Sequence, residues 1–253
     1  MAITDLLELL NLEYSASFSG WDFSHVSGRM QEDILPWNYR KTVEEHFKDT
    51  QTLLDIDTGG GEFLDSFANL PPITYATEAY APNVPIATTR LAKRDIAVKV
   101  ITEDKRLPFE DSFFDLIICR HGSFSFEEVV RVLKPGGLFV TQQVGSLNAI
   151  DLNASLGAIN KPIHDWCLTG AISNSRKQNF ILRSHGEHLG KYRFYDIGAI
   201  VYYLKCIPWQ IEDFSVEKYY PRLAILNDVI NMDGYKDIIS HRFFAVFQKG
   251  ICT

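Results

Sequence analysis

The chain has 253 residues, of which 46% are hydrophobic, and this length and apolar content suit one large α/β domain. Its formal charge of −7 makes it a poor non-specific binder of nucleic acid, because neutralising phosphates requires clustered Lys and Arg. No apolar run reaches the roughly 18–20 residues that a membrane-spanning helix needs, and the N-terminus resembles no signal or transit peptide, so we expect a cytoplasmic protein.

Residues 1–49 are predicted to form an N-terminal helical cap. Leucines at helical spacing predict an amphipathic helix over 1–14, which packs either on the body of the protein or on a partner. A homodimer through this helix is therefore one expectation. A second helix is predicted over 35–47, with Pro36 near its start.

Short apolar strands alternate with helices in the predicted core, residues 50–145. Strands that are too apolar to face water indicate a parallel sheet covered by helices. The predicted strands are 52–56, 73–78, 98–102, 114–120 and 138–144, and the predicted helices are 62–70, 85–95 and 126–134.

The C-terminal part, residues 146–253, is predicted to complete a Rossmann-like, mostly parallel, seven-stranded sheet with helices on both faces and an antiparallel last strand. We expect the whole chain, 1–253, to be a single domain. An aromatic-rich insertion at about 190–240 is either a lid over the site or ordinary core packing. The predicted strands here are 179–189 and 241–249, and the predicted helices are 164–173, 196–207 and 216–230.

Polar residues and glycines follow several of the predicted strands. In parallel sheets ligands bind at the carboxyl ends of the strands. The glycines 59–61 precede a helix, whose unpaired N–H groups favour a carboxylate or phosphate, and glycine lets such a group approach the backbone closely. Glu78 closes the second strand, where a carboxylate suits both hydroxyls of a ribose. Arg120 and His121 follow the fourth strand.

Three stretches of the core and one further residue resemble the motifs of one family. The sequences LLDIDTGGGEF (53–63), LPFEDSFFDLI (107–117) and RVLKPGGLFV (131–140), with Glu78, resemble the ordered motifs of class I S-adenosylmethionine-dependent methyltransferases, and most closely the type 11 methyltransferase domain. The resemblance covers about residues 50–145, and the rest of the chain resembles an uncharacterised bacterial subgroup of these proteins. It implies S-adenosylmethionine as cofactor and methyl transfer by in-line displacement, which mainly requires alignment and exclusion of water.

The resemblance also implies roles for single residues. It places Asp55 near the amino group of the methionine part, Glu78 on the ribose hydroxyls, and either Glu103 or Asp104 on the adenine amino group. His121 would lie near the acceptor and is the one candidate catalytic residue. The full implied cofactor site comprises Asp55, Asp57, Thr58, Gly59, Gly60, Gly61, Glu78, Ala79, Tyr80, Glu103, Asp104 and Arg120.

Asp57 leaves two registers open in the glycine turn. In the first, Asp55 is the acid at the strand end and Asp57 replaces the first glycine of the turn. In the second, Asp57 is itself that acid, followed by Gly59 and Gly61. The spacing to Glu78 favours the first register, in which the carboxylate of Asp57 either helps or hinders cofactor binding.

Several other functions remain as alternatives. A nicotinamide dehydrogenase is disfavoured, because Glu62 and Phe63 follow the turn and its third glycine is absent. A metal site at His185 and His188 is less expected than a solvated strand end, so no metal is predicted. The main alternative is a non-catalytic S-adenosylmethionine-binding sensor or partner protein. The negative charge and aromatic C-terminal half favour a small-molecule acceptor over RNA, so an RNA methyltransferase is a lesser alternative.

Overall fold

A computed structural model of the chain describes residues 3–101, 106–159 and 166–251. Helices and strands alternate along most of this length. No helix in the described ranges is both long and apolar enough to cross a membrane. The α-helices are α1 (Ile3–Ser15), α2 (Tyr39–Glu44), α3 (Glu62–Asp65), α4 (Val84–Leu91), α5 (Phe126–Val132), α6 (Ile150–Leu156), α7 (Leu168–Lys177), α8 (Ile197–Cys206) and α9 (Val216–Asp233).

Eight strands form the sheet in the order β1-β7-β8-β6-β5-β2-β3-β4. The pairs β3–β4, β2–β3, β2–β5 and β5–β6 are parallel, whereas β6–β8 and β1–β7 are antiparallel. The predicted α/β fold with a mostly parallel sheet and an antiparallel last strand is thus confirmed. The strands are β1 (Met30–Glu32), β2 (Thr52–Ile56), β3 (Ile73–Glu78), β4 (Ala97–Val100), β5 (Phe114–Arg120), β6 (Leu133–Val144), β7 (Phe180–Phe194) and β8 (Lys236–Lys249).

The predicted strand count of seven is wrong, because β1 adds an eighth strand. β1 has three residues, Met30–Glu32, and none of them is fully buried. It pairs with the end of β7 through Met30 and Phe194. Such a short strand carries no alternation of apolar and polar residues, so hydrophobic periodicity does not reveal it.

The chain divides into two compact units. The first comprises 1–35, 146–163 and 189–241, and the second comprises 36–145, 164–188 and 242–253. Among the described residues the first unit has one apolar core, to which eight buried residues of α8 belong. The second has two apolar clusters, and all five residues of β2 are buried. The single-domain organisation and the lid at 190–240 stay predictions.

Helix α3 is much shorter than predicted, because a neighbouring arginine holds the carbonyl groups that follow it. The sequence predicts a helix over 62–70, whereas α3 covers Glu62–Asp65. Arg94 Nη1 donates to the carbonyl oxygens of Asp65 and Phe67, at 2.8 and 2.7 Å, and Nη2 donates to Ala68 O at 3.3 Å. These carbonyl oxygens accept from a side chain instead of from the N–H groups of later turns of a helix.

Candidate functional site

The carboxyl ends of β2, β3 and β5 lie side by side, which brings their terminal residues together. Asp55 pairs in register with Ala76 of β3 and with Ile118 of β5. The hydroxyl of Thr58 donates to Asp55 Oδ2 at 2.7 Å. Burial raises the pKa of Asp55 to about 7, because a charged carboxylate is poorly solvated there, while the bond from Thr58 opposes this shift.

The glycine turn after β2 adopts backbone conformations that glycine favours. Gly59 and Gly61 have φ of +66° and +82°. A Cβ on Gly61 would lie 2.9 Å from Leu91 Cγ, so α4 packs closely against the turn. Arg90 donates to Gly60 O at 2.8 Å and to Glu62 Oε1 at 2.9 Å. The turn is therefore held in place by α4.

Asp57 fits into the turn because the residue that faces it is glycine. It has a left-handed φ of +53°, which Asp tolerates better than most residues. The Ser123 N–H donates to Asp57 Oδ2 at 2.9 Å. A Cβ on Gly122 would lie 2.4 Å from Asp57 Cβ, so no larger residue fits there without movement. Asp57 thus links the loops that follow β2 and β5.

Glu78 carries a buried acceptor atom at the end of β3. The residue is 3% exposed, and the Tyr80 N–H donates to its Oε1 at 2.7 Å. No donor among the described residues reaches its Oε2, which is also buried. Burial raises the pKa of Glu78 to about 7, the Tyr80 N–H opposes this, and the charge of Asp57 adds to it. A buried acceptor without a donor is costly, so this atom calls for a hydroxyl or N–H partner.

A cavity of about 290 Å³ opens beside these strand ends. Asp57 and Ala79 line one part of it, and the loop before β5, the loop after β5 and the start of α5 line other parts. Its walls are mostly apolar with a few polar groups, as is usual for small-molecule sites. The lining residues are Ile56, Asp57, Ala79, Ile101, Leu107, Ser123, Phe124, Ser125, Glu128 and Val129.

Arg131 fixes one wall of this cavity. The Leu107 N–H donates to Glu128 Oε2 at 2.8 Å. Arg131 donates from Nη2 to the Leu107 carbonyl at 2.8 Å and from Nη1 to the Phe109 carbonyl at 2.8 Å, and it makes a two-point contact with Glu128 at 2.8 and 2.6 Å. The loop that follows β4 is thereby fastened to α5.

Sequence reasoning missed several lining residues, because they precede or begin a helix instead of ending a strand. Phe124, Glu128 and Val129 were not predicted as site residues. Ser125 is the N-cap of α5, and its hydroxyl accepts from the Glu128 N–H. The capping pattern with a serine before an acidic first turn is visible in the sequence. This capping pattern predicts the start of a helix but does not predict a cavity.

The structure brings together most of the predicted site residues, although their roles stay predictions. Asp55, Asp57, Thr58, Glu78 and Ala79 lie at the adjoining ends of β2 and β3 with the glycine turn. Tyr80 follows them and is 59% exposed. The guanidinium carbon of Arg120 lies 4.6 Å from the centre of the Phe63 ring, beside the turn. Glu103 and Asp104 lie outside the described residues.

His121, the predicted catalytic candidate, stands directly after β5 with a φ of +61°. Its Nε2 lies 3.1 Å from the amide nitrogen of Gln142 on β6. Removal from bulk water, and then the charges of Arg242 and Arg120, hold the pKa of His121 well below its ordinary value. Because His121 is an exposed residue, the charges of the two arginines are the firmer cause of this lowering.

Comparison with known proteins gives one family for the core. Residues 54–141 match the family described as a methyltransferase domain. The ubiquinone/menaquinone biosynthesis C-methyltransferase UbiE of Cupriavidus metallidurans is 26% identical over 112 residues, which cover 40% of this chain and 46% of that protein. The match therefore spans about half the length of this curated relative.

Solved structures resemble the fold over most of the chain. A protein of Bacillus halodurans C-125, provisionally named a methyltransferase, has a TM-score of 0.59 at 14% identity and covers 84% of this chain and 99% of its own. YcgJ of Bacillus subtilis has a TM-score of 0.57 at 17% identity, covering 85% and 99%. The [4+2]-cyclase SpnF has a TM-score of 0.56 at 14% identity, covering 99% and 95%.

Proposed function

Because residues 54–141 belong to the class I S-adenosylmethionine-dependent methyltransferases, we propose that the protein transfers a methyl group from S-adenosylmethionine to a small-molecule acceptor by in-line displacement. The observation that carries the proposal is the buried Oε2 of Glu78, an acceptor that no described donor reaches. A ribose diol supplies two hydroxyl donors, and a carboxylate at the end of β3 accepts both.

The residues present fit the cofactor in three further respects. The cavity beside Ala79 is narrow and mostly apolar, which suits an adenine ring stacked against Phe124 or Ile101. Asp55 offers a carboxylate to an amino group. Arg120 offers a guanidinium to a carboxylate, beside the N–H groups of the glycine turn. When bound, S-adenosylmethionine supplies a methyl group on a positively charged sulfur.

The chain's own residues then orient the reactants and exclude water. Arg90 and Gly61 hold the glycine turn against α4, and Arg131 holds the wall at Leu107. Fixed positions of this kind lower the entropic cost of bringing two reactants into line. The net charge of −7 favours a small-molecule acceptor over RNA.

Calorimetry with S-adenosylmethionine, followed by a labelled-methyl transfer assay against fractionated small molecules, tests the proposal. We expect saturable binding and transfer of label into a small-molecule fraction. Absence of binding at millimolar ligand would refute the cofactor assignment. Transfer into RNA alone would refute the acceptor class.

A non-catalytic protein that binds the same cofactor is the second candidate. One observation favours keeping it: a protein named a [4+2]-cyclase, and not a methyltransferase, shares this fold over 99% of the chain. The fold therefore does not by itself require methyl transfer. Saturable cofactor binding without transfer to any fraction would support this candidate over the enzyme.

A further inference from the structure

Three side chains of the second unit form a directed hydrogen-bond chain that ends on His121. The Trp37 Nε1–H donates to Gln142 Oε1 at 2.8 Å. Gln142 Nε2 lies 3.1 Å from His121 Nε2. An indole N–H is a donor only, so the amide atom that it meets is the oxygen. The amide NH₂ group of Gln142 must therefore face His121.

This direction fixes the tautomer of His121. An amide NH₂ group only donates, so His121 Nε2 must accept and cannot carry a proton. A neutral imidazole has one donor and one acceptor nitrogen, which leaves the proton on Nδ1. Protonating Nε2 would place two donors face to face and would break the bond to Gln142.

The surroundings hold Gln142 and His121 in this relation. Gln142 is 6% exposed, and its backbone carbonyl oxygen accepts from the backbone N–H of His121 at 2.8 Å. The positive charges of Arg242 and Arg120 also oppose a charged imidazole. His121 is therefore unsuited to remove a proton with Nε2 and suited to donate one hydrogen bond from Nδ1.

We propose that Trp37 and Gln142 are positioning residues that hold His121 as a neutral Nδ1–H donor, and that this donor receives an acceptor whose nucleophile is already anionic. This proposal rests on the proposed function, because it names the acceptor class of the same site. Carboxylates belong to this class, as do phenols and enols acidic enough to be ionised near neutral pH.

The reaction then balances without a base. The electron pair of the anionic acceptor forms the new bond to the methyl carbon, and the electrons of the broken S–CH₃ bond stay on sulfur. The negative charge of the acceptor and the positive charge of the sulfonium both disappear. No proton has to leave the acceptor, so the reaction does not require His121 to act as a base.

Nitrogen NMR of the cofactor-free protein, labelled with ¹⁵N-histidine, tests the tautomer directly. Comparison with His121→Gln assigns the signals of His121. We expect an unprotonated Nε2 and a protonated Nδ1 at pH 7, and titration of His121 only below the ordinary histidine range. A protonated Nε2 at pH 7, or titration at the ordinary pKa, would overturn the proposal.

Two variants separate positioning from mere packing. Gln142→Glu replaces the amide by a carboxylate, which should raise the pKa of His121 by about one unit or more. Trp37→Phe frees the amide to turn its oxygen toward His121, which should raise that pKa toward its ordinary value, and it serves if Gln142→Glu does not fold. Trp209→Phe, at an exposed tryptophan, is the matched control and should change nothing. An unchanged pKa in both site variants would refute the positioning role.

Benzoate and benzamide probe the acceptor class in the presence of S-adenosylhomocysteine. We expect benzoate to shift the Nδ1 signal of His121 and benzamide, its neutral counterpart, to leave it unchanged. Equal shifts, or none, would refute the anionic class. Because the tautomer is read without cofactor, failure of S-adenosylmethionine to bind would refute the proposed function while leaving the tautomer result standing.

Discussion

Replacing Glu78 by glutamine should weaken cofactor binding while leaving the cofactor-free protein equally or more stable. Glutamine keeps an oxygen for the Tyr80 N–H but offers an NH₂ group where the buried Oε2 now lies. That NH₂ group cannot accept a hydrogen bond from a ribose hydroxyl. A hydrogen bond to a charged group contributes about 1.5–3 kcal/mol, which corresponds to a dissociation constant raised about 10- to 150-fold.

The stability effect follows from the raised pKa of Glu78, and its sign depends on pH. Burial raises this pKa from 4.5 to about 7. The folded protein therefore binds the proton more tightly than the unfolded chain, and stability falls as pH rises from about 4.5 to about 7. The full difference has an upper limit of about 3 kcal/mol. Glu78→Gln removes this cost above pH 7.

Calorimetric binding and thermal unfolding at pH 5 and pH 8 measure the two effects. Glu45→Gln, an exposed residue outside the site, is the matched control and should change neither quantity. An unchanged dissociation constant would remove Glu78 from the ribose role. If Glu78→Gln lowers the free energy of unfolding more at pH 8 than at pH 5, the reasoning on the buried charge of Glu78 is refuted.

Two further substitutions test the supports of the site. Arg131→Lys keeps the charge but loses the planar fork that joins Leu107 to Glu128, so cofactor affinity should fall about 5-fold, whereas Arg183→Lys at an exposed position should leave it unchanged. Gly122→Ala should destabilise folding by about 1–3 kcal/mol in chemical unfolding, because its Cβ meets Asp57, and adding Asp57→Gly should restore most of that loss. Equal stability of the single and double variants would contradict the clash.

Much of the fold follows from patterns that extend over whole elements. Buried strands such as β2 and β5 read as short apolar runs, and the glycine turn marks the point at which β2 gives way to a helix. The edge strand β1 and the short α3 depend on contacts with distant parts of the chain. Arg94, which donates to the carbonyl groups at the end of α3, lies about 30 residues further along the chain. The local sequence therefore does not predict where α3 ends.

The candidate site also has some features that the sequence predicts and others that depend on distant contacts. Asp55 and Glu78 were predictable because each stands at the end of a parallel strand, where ligands bind. The directed chain from Trp37 through Gln142 to His121 was not, since it joins residues from three separate segments. The sequence leaves open whether Asp57 helps or hinders cofactor binding. Its compatibility depends on Gly122, which only the folded structure brings against it.

In the proposed cofactor site, the raised pKa values of Asp55 and Glu78 would couple cofactor binding to proton release. Near neutral pH each carboxyl group holds a proton for part of the time in the cofactor-free protein. The cofactor's amino group and ribose hydroxyls require the deprotonated forms, so binding expels protons into the surroundings. The measured heat of binding should then vary with the ionisation enthalpy of the buffer. A small fall in cellular pH would leave more of the protein without cofactor.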